Sequence, residues 1–179
     1  TKRYIERQVN RMTSEEPEDQ FFVHCGVSKT AGLSVTVTGL THLIGQEVAV
    51  LADGAVIADY DTPITVTGDS ITLAVAATKV HVGIPYVSDI ETLKPEIQTP
   101  SGSSQSKLMK ISNFILKVIK SKGGKIGQNF TTMYDLKDNF ATVYETSLDL
   151  YTGDLADVLA GDYSQGGGVC IRQSKPLPI

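Results

Sequence analysis

The sequence predicts an all-β protein, and three observations carry that prediction. Apolar and polar residues alternate in Ser34 to Thr38 (Ser-Val-Thr-Val-Thr), the mark of a strand with one buried face. Asp53-Gly54 and Gly68-Asp69 fall between β-rich runs, where a hairpin turn needs positive φ. Roughly six short strands follow one another between Ser34 and Ile84, a spacing that suits a small barrel or sandwich.

Each element follows from its local pattern. Phe21 to Val27 reads as a strand after a charged loop that holds Glu15, Glu16, Glu18 and Asp19. That loop in turn follows a basic cluster of Lys2, Arg3, Arg7 and Arg11. Glu47 to Leu51 and Ala55 to Ala58 are paired by Ala52-Asp53-Gly54, and Ile64 to Thr67 pairs with Ser70 to Val75. Lys79 to Ile84 is a further strand, stopped by Pro85. Thr99 to Ser106 is polar and rich in serine, hence an exposed loop. Ile111 to Lys120 reads as a strand, with Gly123-Gly124 after it as a hairpin turn. Thr142 to Leu150 and Val169 to Gln173 are further strands, and Asp154 to Ala160 reads as one helical turn in a loop region. The expected division is a small all-β barrel or sandwich over residues 34–85. It is packed on, or inserted into, a second antiparallel β-sheet lobe of residues 1–33 and 86–179.

Composition agrees and narrows the function. The 179 residues are 41% hydrophobic and 20% charged with net charge −4, ordinary values for one globular domain or two small ones. A disordered chain and a strongly basic nucleic-acid binder are excluded. No uncharged apolar run approaches the roughly 20 residues that span a bilayer, and no basic segment leads into an apolar one at the N-terminus. Cys25 and Cys170 lie far apart and are expected to be reduced, which excludes a disulfide miniprotein. The apolar last residues, Leu177-Pro178-Ile179, and the absence of an initiating methionine suggest a piece of a longer polypeptide.

Catalytic chemistry finds little footing. His24, His42 and His81 have no neighbour at ligand spacing except the adjacent His24-Cys25, and adjacent strand residues point to opposite faces. Gly26, Gly32 and Gly39 do not form a dinucleotide fingerprint, and Gly166-Gly167-Gly168 has no helix after it to cradle a phosphate. Asp149, Asp154, Asp157 and Asp162 lack the spacing and the closing glutamate of a calcium loop. No catalytic, cofactor-binding or metal-ligating residue is therefore expected, and a glycosidase would need a carboxylate pair that nothing singles out. The one unusual charge feature is Lys107, Lys110, Lys117, Lys120, Lys122 and Lys125, a run without an acidic residue. Such lysines either contact phosphates or guard a sheet edge, and the guarded edge is the more economical reading.

Four segments resemble one protein family. Gly39-Leu40-Thr41-His42-Leu43-Ile44-Gly45-Gln46-Glu47-Val48-Ala49-Val50-Leu51-Ala52-Asp53-Gly54 resembles a stretch of the tail nozzle (tail tubular, or DNA-stabilisation) proteins of short-tailed bacteriophages. Val80-His81-Val82-Gly83-Ile84-Pro85-Tyr86, Ser121-Lys122-Gly123-Gly124-Lys125 and Gly168-Val169-Cys170-Ile171-Arg172-Gln173 with Pro176-Leu177-Pro178 follow in that family's order. The similar region lies toward the C-terminus of the family's longer proteins.

The resemblance implies a structural virion component and no enzyme, made in the bacterial host cytoplasm and located in the virion tail. Its implied partners are copies of itself in a ring of six, tail adaptor and fibre proteins, and double-stranded DNA passing without sequence specificity. No membrane anchor and no cofactor are implied. Lys117, Lys120, Lys122 and Lys125 are the candidate subunit or DNA contacts. The alternative is a β-sandwich module that recognises a cell-surface glycan or protein. The low aromatic content of 7%, without tryptophan, counts against a glycan platform.

Overall fold

The computed structural model describes residues 3, 5–7, 10, 11, 14, 16–96, 98, 99, 102, 103, 107–136, 149–159, 161–165 and 167–179. Among them the protein is all-β, with only two single-turn 3-10 helices at Pro17–Asp19 and Thr41–Leu43. The strands of the first half are β1 (His24–Thr38), β2 (Glu47–Ala52), β3 (Ala55–Ala58), β4 (Ile64–Thr65) and β5 (Ser70–Ile84). Those of the second are β6 (Ser88–Glu91), β7 (Gln98–Thr99), β8 (Gly102–Ser103), β9 (Leu108–Met109) and β10 (Asn113–Ser121). They continue with β11 (Lys125–Gly127), β12 (Met133–Asp135), β13 (Tyr151–Val158), β14 (Ser164–Gln165) and β15 (Cys170–Gln173).

The first sheet has the order β1-β5-β2-β3, with β4 also paired to β2, and every pairing is antiparallel. The β2–β3 hairpin turns as its residues require: Asp53 and Gly54 have φ of 45° and 77°. The Asp53 carboxylate then accepts the Thr78 and Lys79 N–H groups of neighbouring β5. Alternation directs Val48, Val50 and Ala52 of β2 and Val80 and Val82 of β5 into one core. Leu40, Leu43, Val66, Ile71 and Leu73 belong to the same core. On the other face, the segment before β1 packs over β5: the Phe21 ring meets His81 edge-on at 5.5 Å, and Asp19 pairs with Lys79.

Two expectations about the first half need correction. Residues 1–33 were expected in the second lobe, but β1 runs from His24 through Thr38 and pairs with β5 from His24↔Ile84 to Thr38↔Ser70, with register shifts along the way. An extra stretch between Thr30 and Ser34 bulges out of this ladder, which interrupts the alternation without ending the strand. Strand pairing therefore keeps residues 24–84 together and starts the second group at β6. Ser70 to Val75 and Lys79 to Ile84 are likewise one strand, β5, with a register shift where its pattern lapses.

The second half holds the β12-β11-β15-β6 sheet, the β10–β13 ribbon and two small strand pairs. Ile126, Leu136, Leu159 and Ile171 form its core, flanked by Ile111, Phe114, Leu116 and Val169. Asp154 to Ala160 is not a helical turn. Residues Tyr151–Val158 form β13, because β10 takes them as its antiparallel partner from Asn113↔Val158 to Ser121↔Tyr151. Gly123-Gly124 (φ 75° and 98°) is a sharp reversal, yet β10 and β11 do not pair across it. It carries the chain from one sheet to another. Residues 142–148 of the expected Thr142 to Leu150 strand lie outside the described residues.

Candidate functional site

The four segments singled out by sequence fold against one another in pairs. In the first sheet, Ala49 lies opposite Gly83 and Val50 opposite Val82, so the first two segments are neighbouring strands. Their approach to β1 is close: a Cβ on Gly83 would meet the His24 carbonyl oxygen at 2.7 Å and the Gly26 Cα at 2.8 Å. In the second sheet, β11 lies beside β15, and the Gln173 amide Nε2 donates to the Lys122 carbonyl at 3.0 Å.

A polar junction then ties the two sheets together. Lys125 Nζ donates to Asp61 Oδ2 at 2.6 Å, Ser174 Oγ donates to the same oxygen at 3.0 Å, and Tyr60 N–H donates to the Ser174 carbonyl at 3.1 Å. The hydrogen bonds from Lys125 and Ser174 hold the Asp61 carboxyl below its ordinary value, and Asp61 raises the Lys125 ammonium. Nearby, Arg172 grips Asp89 through two 2.7 Å hydrogen bonds and lies over the Phe130 ring at 5.0 Å.

The candidate contact lysines are distributed along this second half. Lys125 is held by Asp61, while Lys117 is exposed beside Asp154 at 3.7 Å on the ribbon. Lys120, with φ of 49°, and Lys122 stand where β10 bends away, their N–H groups donating to Thr152 Oγ1 and the Pro178 carbonyl. Around Lys117 and Asp154 the outward face of the ribbon is apolar: Ile115, Ile119 and Val158 are 75%, 72% and 70% exposed. Strand alternation puts Ile115, Lys117, Ile119 and the opposed Asp154, Ala156 and Val158 on that one face.

A cleft of about 800 Å³ separates the N-terminal arm from the first sheet and is lined by Glu6, Arg7, Cys25, His42, Lys79 and His81 among others. Here the alternation argument about His24 and Cys25 fails. Cys25 has φ of 50° at a bulge, so both side chains reach Glu6: Cys25 Sγ donates to Oε1 at 2.8 Å, and His24 Nδ1 lies 3.6 Å from Oε2. Burial and the adjacent Glu6 carboxylate push the Cys25 thiol up to about 12, the opposite of an activated nucleophile. Burial lowers His81; its Nε2–H donates to the Glu18 carbonyl at 2.8 Å, leaving Nδ1 buried without a hydrogen-bond partner. His42 Nε2–H donates to the Cys25 carbonyl at 2.9 Å. Among the described residues, no three His, Cys, Asp or Glu side chains converge as a metal site, and Asp154 faces Lys117 instead of an acidic cluster.

A second cleft, of about 460 Å³ and polar in character, was invisible to sequence spacing. Lys110, Gln128, Asn129, Thr132, Tyr134 and Asp162 line it, drawn from three separate stretches of the chain. Asn129 Oδ1 accepts the Thr131 and Thr132 N–H groups at 3.0 and 2.8 Å, which fixes the loop at its base. Among the described residues no helix is long and apolar enough to cross a membrane. No protein-family model matches the chain, and comparison with curated proteins finds no match.

Proposed function

We propose that this protein is a structural component of a short-tailed phage virion, part of the tail nozzle through which DNA leaves, and that it works by packing against copies of itself. The carrying observation is the β10–β13 ribbon, whose outward face leaves Ile115, Ile119 and Val158 largely exposed around the Lys117–Asp154 pair. Exposed apolar surface of this kind marks interaction sites, and a neighbouring copy is the occupant that the family resemblance implies. The pairwise folding of the four resembling segments also supports the reading, since each is part of a shared structural unit. Lys125 has a close carboxylate partner within the chain and the net charge is −4, both of which weaken any hold of this lysine on passing DNA.

Electron microscopy of the natural full-length polypeptide tests this. Closed rings are expected, and Ile115→Lys with Ile119→Lys should leave folded single subunits. A polypeptide that stays monomeric, or rings indifferent to both substitutions, would overturn the proposal.

A further inference from the structure

We infer that the paired bulges of β1 and β5 receive the β10–β13 ribbon of a neighbouring copy, so that each subunit joins the next head to tail. The inference rests on the ring reading above and names the second surface that such a ring requires. A closed ring of identical subunits is built from a heterologous interface, in which one patch of each copy meets a different patch of the next. The ribbon face supplies one patch. Its counterpart must be apolar, exposed and elsewhere on the molecule.

The ladder between β1 and β5 opens twice in succession. Between Thr30↔Lys79 and Ser34↔Ala77, the residues Ala31, Gly32 and Leu33 face Thr78 alone. Between Ser34↔Ala77 and Thr36↔Thr72, Val35 faces the stretch from Leu73 to Ala76. Leu73 and Ala77 are held in the first core, and Ala74 and Val75 between them are left outside it. Leu33 and Val75 are each 73% exposed, and Val35 is exposed beside them.

Charge selects the occupant. Neither Thr30 to Thr38 nor Ser70 to Thr78 contains a charged residue. Yet among the described residues β1 is the outermost strand of its sheet, a position that proteins commonly guard with charge. A nucleic acid or an anionic surface therefore finds no cation in these bulges. The ribbon face carries Lys117 and Asp154, whose opposite charges cancel. Bringing the two patches together buries no unpaired charge. The chain has net charge −4, so two copies repel over much of their surface and meet most readily where both are neutral.

Mass photometry of two variants of the natural full-length polypeptide, separately and mixed, is the test. Leu33→Lys with Val75→Lys removes the bulge patch, and Ile115→Lys with Ile119→Lys removes the ribbon patch. These side chains are exposed, so the circular dichroism of each variant should match that of the parent. Leu33→Ser with Val75→Ser should show the same loss of assembly and serves if the lysine pair fails to fold. Each variant alone is expected as single subunits. An equimolar mixture should give dimers and nothing larger, because one intact ribbon then meets one intact bulge. A bulge variant that assembles like the parent, or a mixture that stays monomeric while the parent forms rings, would overturn the assignment and leave the ring reading standing. A parent polypeptide that never assembles would overturn both together.

Discussion

The first sheet and the second half of the chain solve the same burial problem to different extents. Thirteen buried side chains, from Val37 to Val82, form one core in the first, whereas four described residues, Ile126, Leu136, Leu159 and Ile171, do so in the second. On the other face of the first sheet, the segment around Phe21 packs over His81 of β5. The β10–β13 ribbon instead turns Ile115, Ile119 and Val158 outward. A two-stranded ribbon is marginal by itself, so this region gains most from a neighbour. The difference lies in how much apolar surface each region buries for itself.

The comparison breaks most readily at the first core. Leu43 is fully buried there, and Leu43→Ala should cost about 3–5 kcal/mol by chemical denaturation. A smaller loss would mean that this core is not the stable half. Leu159→Ala in the second core should cost about 2–3 kcal/mol. Its signature is regional: amide protection should fall in β10, β13 and β15 while β2 and β5 keep theirs. Gly83→Ala sharpens the account of the first sheet. The new Cβ would press on backbone atoms of His24 and Gly26, so β1 and β5 must part at their bulge, at roughly 1–3 kcal/mol.

The smallest effect belongs to the junction between the two regions. Asp61 and Lys125 are partly exposed, so Asp61→Asn should cost only about 0.5–1 kcal/mol. Its pH dependence is more informative than its size. The Asp61 carboxyl is lowered on folding, so its contribution is present above the ordinary value of 3.8 and is lost as pH falls through the folded value. Lys125 is raised, so its contribution is present below the ordinary value of 10.5 and is lost as pH rises through the folded value. Thermal melts of the variant should lose sensitivity at the acid end relative to the parent protein.

Much of the first sheet was legible because its signals are local. Asp53-Gly54 fixes a turn by backbone conformation alone, and the alternating valines of β2 point to one core. Gly123-Gly124 carries an equally local signal, a reversal, but which strand then pairs with β11 is decided by distant β12 and β15. Leu155 and Val158 of β13, with Leu159 just after it, fit helical spacing, and only pairing with β10 overrides it. Sites were less legible for the same reason. Lys125 finds Asp61 at a sequence separation of 64, and the polar cleft joins residues from three stretches. The Cys25 bulge shows the limit of period-two reasoning: one residue at positive φ suffices to place neighbouring side chains on a common partner.

Amide hydrogen exchange at low and high protein concentration tests most directly whether the ribbon is the surface that a second copy covers. The account predicts that protection in β10 and β13 rises with concentration while β2 stays unchanged, and that Ile115→Lys abolishes the rise. Exchange in β10 and β13 that is the same at both concentrations, or protection gained by the first sheet instead, would contradict it.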